Sequence, residues 1–215
     1  MKVFHRNFYV NPDGALSDDF SVDAGAVIDV AQFDHFPNNR KQRRVLQSDA
    51  ARQLLEHSLE QHFPRNANDA WHLNKLENGK PFLMGAHAPS ISITHRGDWC
   101  ATAMSATSIV GIDVEIIKHH DWEMFSSTVF HPDETRWVLK ATERERDIRG
   151  LICWCRKEAF LKALGLGMTV NLSEIGFSDT GVLIAFPGGV SDYIGWRFLT
   201  TIICNTAMIA VALKG

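Results

Sequence analysis

Two stretches of this chain place side chains at spacings suited to phosphate and metal chemistry. The first is Val110-Gly111-Ile112-Asp113-Val114-Glu115. In an extended strand, residues i and i+2 share a face, so Asp113 and Glu115 point together while Ile112 and Val114 face the other way. Adjacent carboxylates repel one another, and a cation between them relieves the repulsion. Oxygen-only donors favour magnesium or manganese over zinc. The same pair would also suit an acidic strand face turned to solvent.

The second stretch is Trp154-Cys155-Arg156-Lys157-Glu158-Ala159-Phe160-Leu161-Lys162. On a helix, Glu158 and Lys162 lie one turn apart on one face. Leu151, Ile152, Cys155, Ala159 and Phe160 give that helix a buried side, and Trp154 precedes Glu158 by one turn. The Glu158 carboxylate is therefore expected at the margin of the core, where pKa values are tuned for proton transfer. The alternative is a surface ion pair worth about 0.3–0.5 kcal/mol. Upstream, Arg40-Lys41-Gln42-Arg43-Arg44, Arg52, Gly79-Lys80-Pro81 and His95-Arg96 supply cations. A phosphate-rich substrate carrying magnesium on its pyrophosphate would use the basic and the acidic groups together. The basic run also reads as a solvated helix start, and His95 as a satisfied histidine at a strand end.

These side chains need elements to hold them. Residues 1–10 and 24–32 read as strands, followed by a charged helix over about 39–62. Its apolar stripe is Val45, Leu46, Leu54, Leu55, Leu59 and Phe63, and Pro64 ends it. A turn-rich stretch follows over 77–90, headed by Gly79-Lys80-Pro81. Strands are expected at 91–95 and 99–106 around an Arg-Gly-Asp turn, and again at 109–116. Helical patterns cover roughly 121–130, 133–145 and 148–164, the last closed by Gly165-Leu166-Gly167. Strands return at about 174–178, 181–186, 194–203 and 206–213. The fragment Cys100-Ala-Thr-Ala-Met104-Ser-Ala recurs as Cys204-Asn-Thr-Ala-Met208-Ile-Ala about half a chain later, and the two long helices are offset similarly. The pattern predicts an α+β fold of two similar halves joined near residue 107, with a site in the cleft between them.

At 215 residues, with 45% apolar and 22% charged side chains, the chain can bury a sizeable core. A formal net charge of −3 argues against wholesale nucleic-acid binding by bulk attraction. No apolar run of about 18 residues predicts a membrane span. The N-terminus reads as an alternating strand containing His5, Arg6 and Asn7 rather than as a signal peptide. Cys100, Cys153, Cys155 and Cys204 lack zinc or redox spacing and read as buried reduced thiols, so a cytoplasmic location is expected.

Taken in order, the motifs resemble the Sfp-type 4′-phosphopantetheinyl transferases. The matching features are Gly79-Lys80-Pro81, Ser92-Ile93-Thr94-His95-Arg96-Gly97, Gly111-Ile112-Asp113-Val114-Glu115 and Trp154-x-x-Lys157-Glu158-Ala159-Phe160-x-Lys162. The resemblance runs from about residue 40 to 178. It implies a pseudo-twofold pair of α/β halves, 1–107 contributing to the nucleotide site and 108–215 carrying the metal and catalytic motifs. It implies Mg2+, with Mn2+ as the alternative, held by Asp113, Glu115 and Glu158 together with the pyrophosphate of coenzyme A. Glu158 becomes in addition a candidate base for the acceptor serine, and Lys162 a group that steadies the transferring phosphate or its leaving group. His95 matches a histidine on the coenzyme A phosphates. Lys80, Arg52 and Lys41 match cations around the nucleotide and its 3′-phosphate, and Thr94 replaces a phosphate-binding serine. Two features depart from the family: Arg96 follows the histidine where serine is usual, and the helix start near Arg40 aligns only with a small deletion.

The implied reaction moves 4′-phosphopantetheine from coenzyme A to a serine of an apo acyl, peptidyl or polyketide carrier protein and releases 3′,5′-ADP. The implied state is a monomer with internal pseudo-symmetry rather than the shorter, trimeric holo-synthase type, with no nucleic-acid or membrane partner. Two other readings stay open. One is a non-catalytic binder of coenzyme A or a nucleotide, and the other is a different metal-dependent phosphoryl enzyme such as a phosphatase.

Overall fold

Alternating apolar residues make the strands two-faced, and both faces are used. The structure is a computed structural model that describes residues 2–10, 16–17, 25–33, 37–63, 71–189 and 193–215. The chain runs through β1 (Lys2–Val10), β2 (Leu16–Ser17), β3 (Ala26–Phe33), α1 (Arg40–His62), β4 (His72–Lys75), β5 (Pro81–Met84), β6 (Ser90–Arg96), β7 (Trp99–Ser105) and β8 (Ile109–Ile116). It continues through α2 (Trp122–Val129), α3 (Pro132–Leu139), α4 (Glu143–Leu164), β9 (Gly176–Phe177), β10 (Leu183–Ala185), β11 (Trp196–Ile203) and β12 (Ala207–Lys214). One sheet has the order β2-β1-β3-β7-β6 and another β11-β12-β8, with β4-β5 and β9-β10 as two-stranded ribbons. This is the mixed α/β architecture expected.

The layers follow from residue parity. Ala26, Ile28 and Val30 of β3 join Trp99, Ala101 and Ala103 of β7, Val110, Ile112 and Val114 of β8, and Ile209, Val211 and Leu213 of β12 in one core between the sheets. Val27 and Ala31 turn the other way, toward Leu54, Leu55 and Leu59 of α1. Ala210 and Ala212 turn toward Leu151, Cys155 and Ala159 of α4. Phe160 anchors α4, with its ring fully buried among Phe177, Phe186, Tyr193, Trp196 and Phe198 at centroid distances of 5.0–6.5 Å. Burying one such ring contributes about 1.5–3 kcal/mol.

Two contacts set where the acidic strand lies. The outer edge of β8 meets hydroxyls rather than a further strand: Val110 N–H donates to Ser90 Oγ at 3.2 Å and Ile112 N–H to Ser92 Oγ at 3.1 Å. On one face, with β12 paired along its other edge, β8 presses on α4 at Gly111, where an added Cβ would meet the Ala159 carbonyl oxygen at 2.0 Å and Ala163 N at 2.6 Å. Only hydrogen fits there, so strand and helix backbones approach closely enough for their polar side chains to meet. Gly111→Ala is expected to push α4 off β8, at or above the ~1–3 kcal/mol usual for overpacking. A melting temperature equal to wild type would contradict this.

Several expectations need correction. Val45 and Leu46 are exposed, so the apolar stripe of α1 begins deeper in the helix. Pro64, expected to end that helix, lies outside the described residues; α1 closes at Phe63, whose N–H donates to Leu59 O at 2.9 Å. The turn-rich stretch contains β5, folded against β4 through a turn in which Gly79 has φ 84°. The helix expected over 133–145 stops at Leu139. A new start intervenes, because Thr142 N–H donates to the Glu145 carboxylate and so caps α4. Gly165, at φ 72°, ends α4 as expected. Cys100, Cys153 and Cys155 are buried, but Cys204 is exposed in the β11–β12 turn. The recurring cysteine fragments therefore occupy different places, since Cys100 lies within β7. Among the described residues, no helix is long and apolar enough to cross a membrane.

Candidate active site

The two motifs meet where β6, β8 and α4 converge. On β8, Asp113 follows Gly111 on the side facing α4 and is buried. Its Oδ1 accepts from Lys162 Nζ at 2.6 Å and from Thr94 Oγ1 at 3.2 Å. Lys162 also donates to Thr94 Oγ1 at 2.9 Å, so one hydroxyl, one ammonium and one carboxylate tie the strands to the helix. The Asp113 Oδ2 atom is buried without a hydrogen-bond partner, and so is Glu158 Oε1. Burial pushes the Glu158 carboxyl above its ordinary pKa, and the negative charge of Asp113 adds to this while Lys162 opposes it. Burial also raises the pKa of Glu115, with Arg96 opposing and Asp113 adding. Glu115 Oε2 lies 2.9 Å from Arg96 Nε.

The remaining candidates divide. His95 is half-buried, and burial together with the positive charges of Lys162 and Arg44 lowers its pKa. It therefore lies near both Lys162 and Arg44. Lys80 is held differently: its Nζ donates to the Ala163 carbonyl at 2.5 Å, and Asn78 Nδ2 donates to Gly165 O at 2.6 Å. The Gly79-Lys80-Pro81 segment thus satisfies the last carbonyls of α4, where a cation is favoured by the helix dipole. A cavity of about 250 Å³ opens between Asn78, Lys80, Ser92, Lys162 and Gly165. Arg52 pairs with Asp49 at 3.2 Å on an exposed face of α1, and Lys41 is exposed in its first turn. No ion pair or side-chain hydrogen bond ties either of them to the carboxylates among the described residues.

A second cavity, about 170 Å³, adjoins Glu115 and Arg96 and is lined by His120, Trp122, Phe125, Leu151 and Trp154. Asp147 holds its wall, accepting from His120 N–H and from Trp122 Nε1, each at 3.0 Å. Trp122 in turn lies flat against Gly150, where a Cβ would meet its ring at 2.4 Å.

Two residues at the site had no assigned role in the sequence reading. The buried Cys155 thiol sits beside Asp113, and burial with that negative charge drives its pKa well up; its position one turn before Glu158 was the available signal. Lys157 is fully buried and donates to Val129 O at 2.6 Å, to Leu172 O at 3.0 Å and to the carboxylate of buried Glu134. Glu134 also accepts from the N–H groups of His131 and Phe177 at 2.9 and 3.1 Å. This network locks α4 to α3 immediately next to Glu158.

Comparison with known proteins points the same way. Residues 109–199 match the family described as the 4′-phosphopantetheinyl transferase superfamily. The 4′-phosphopantetheinyl transferase psf-1 of Bacillus pumilus is 32% identical over 97 residues, 45% of this chain and 41% of that protein. The 4′-phosphopantetheinyl transferase AcpT of Salmonella typhi is 32% identical over 91 residues, 41% of this chain and 47% of the relative. The 4′-phosphopantetheinyl transferase HetI of a Nostoc species is 26% identical over 141 residues, 64% and 58% respectively. The chain thus spans about half the length of the curated relatives it matches. In its motifs and over the matched segment, the chain is similar to the 4′-phosphopantetheinyl transferases, in keeping with the Sfp-type resemblance.

Proposed function

We propose that this protein transfers 4′-phosphopantetheine from coenzyme A to a serine of an apo acyl, peptidyl or polyketide carrier protein. The observation that carries this reading is the junction of Asp113, Thr94 and Lys162, with Glu158 beside it, where β6, β8 and α4 meet. A metal-binding role is supported by the donors: all are oxygens, Asp113 Oδ2 and Glu158 Oε1 are buried without partners, and Asp113 and Glu158 repel each other. Among the described residues no three such side chains stand gathered as a finished cage. Lys162 and Arg96 draw Asp113 and Glu115 to themselves. The residues fit a hard divalent cation by chemistry, with Asp113, Glu115 and Glu158 as its holders. Magnesium, or manganese in its place, would when bound offset negative charge growing on the diphosphate.

The chain's own groups supply the rest. The acceptor serine Oγ attacks the β-phosphorus, and the bond from that phosphorus to the bridging oxygen breaks. The electron pair leaves on 3′,5′-ADP, and the serine proton passes to Glu158. Lys162 donates to the leaving oxygen. Thr94 holds Lys162 and Asp113 in a fixed relation, so little reorganisation is needed during reaction. His95 and Arg44 border the phosphates, while Lys80 acts on the nucleotide side and on the end of α4. Arg52 and Lys41 would reach the 3′-phosphate.

A monomer of two related halves is supported by a shared element order. β3, α1, the β4-β5 ribbon and the β6-β7 hairpin parallel β8, α4, the β9-β10 ribbon and the β11-β12 hairpin, with sheet orders β3-β7-β6 and β8-β12-β11. Residues 1–107 and 108–215 are the proposed units, and the cytoplasm is the proposed compartment.

The test is release of 3′,5′-ADP from coenzyme A in the presence and absence of an apo carrier. Release that requires the carrier is expected. Hydrolysis without a carrier would instead indicate a phosphatase, and tight binding without release a non-catalytic binder.

A further inference from the structure

Arg96 closes β6 with its side chain over the acidic strand. Its Nε stands 2.9 Å from Glu115 Oε2, the arginine side chain 53% exposed and the glutamate side chain 13% exposed. The two carboxylates on β8 are thus held by cations of different kinds. Asp113 is held on Oδ1 by Lys162, which is itself fixed by Thr94, while its Oδ2 stays open. Glu115 is held by an arginine that reaches in from solvent at the edge of the 170 Å³ cavity. The half-exposed arginine can leave to solvent, and the mostly buried carboxylate it leaves then needs the incoming cation, whereas the partners of Asp113 cannot leave so easily. Arg96 keeps Glu115 neutralised beside Asp113, which would otherwise repel it.

We propose that Arg96 is a resident counter-ion of Glu115 that a divalent cation must displace, so that Arg96 sets how tightly the protein holds its metal. This rests on the assignment of the carboxylates to a metal under the proposed function. When the cation takes Glu115, the guanidinium is released at the cavity edge with its planar fork of donors free for an anionic group of the substrate. Arg96 is thereby a positioning residue acting through Glu115. Metal and substrate anion would each favour the arrangement that the other needs.

The test is Mn2+ binding, read as free Mn2+ by electron paramagnetic resonance, in wild type, Arg96→Ser, Glu115→Gln and the double variant, with melting curves to establish folding. Arg96→Ser is expected to tighten Mn2+ binding about two- to fivefold, the upper part of the range an exposed ion pair spans. In the Glu115→Gln background the same change is expected to have no effect, because the competition has lost its object. Arg96→Lys should fall between wild type and Arg96→Ser. Unchanged or weaker binding in Arg96→Ser overturns the proposal. So does equal tightening in both backgrounds, which would mark a general charge effect. If wild type and Asp113→Asn both fail to bind Mn2+, the metal assignment itself falls. A wild type that binds with no coupling in the cycle removes only the role of Arg96.

Discussion

Asp113→Ala is expected to lower phosphopantetheine transfer by roughly 10³-fold, on the order of what removing one pre-organised electrostatic group costs in an active site. The reason is its connectivity. Asp113 is the acceptor for both Lys162 and Thr94, it carries a buried oxygen without a hydrogen-bond partner, and its charge acts on Glu115, Glu158 and Cys155. Without it Lys162 loses its anchor, and the proposed metal donors are reduced to two. The magnesium concentration needed for half-maximal rate should rise as well. Thr94→Val, which removes only the bridging hydroxyl, should cost far less. Steady-state kinetics with coenzyme A and one carrier measures both. An Asp113→Ala rate within a few-fold of wild type would mean that the pair on β8 is only an acidic strand face.

Lys157→Ala is expected to destabilise the protein by about 3–5 kcal/mol, the usual result of removing one partner of a buried ion pair. Lys157 and Glu134 are 0% and 1% exposed. Burial lowers the pKa of the lysine and raises that of the carboxyl, while their mutual attraction opposes both shifts. Removing the ammonium leaves Glu134 uncompensated and the carbonyls of Val129 and Leu172 without a donor. Urea unfolding followed by circular dichroism reads the loss, with the midpoint falling and the slope unchanged. A loss below about 1 kcal/mol would contradict the view that this network holds α4 in place.

Local spacing made the acidic motif legible, because strand parity alone puts Asp113 and Glu115 on one face and helix periodicity alone puts Glu158 with Lys162. The long helices, the hairpins and the glycine that ends α4 followed from similar short-range rules. What escaped depends on partners distant in sequence. Lys80 reads as a phosphate cation, yet its bond to Ala163 O at the end of α4 spans 83 residues. Cys155 looked like inert core, but folding sets it against Asp113. Lys157 found Glu134 across 23 residues. Val45 and Leu46 satisfied the helical apolar pattern, and periodicity cannot say whether a face is covered; here neither is. Arg96 stood out only as an unusual residue after a histidine until its distance to Glu115 gave it a role.

Group transfer is proposed to occur at the junction of Asp113, Glu158 and Lys162. The most direct measurement is the intact mass of an apo carrier protein incubated with this protein, coenzyme A and magnesium, run beside the Asp113→Ala variant. The carrier is expected to gain one phosphopantetheine with wild type and to keep its original mass with the variant over the same time. No mass gain with wild type across acyl, peptidyl and polyketide carriers, or an equal gain with the variant, would contradict it.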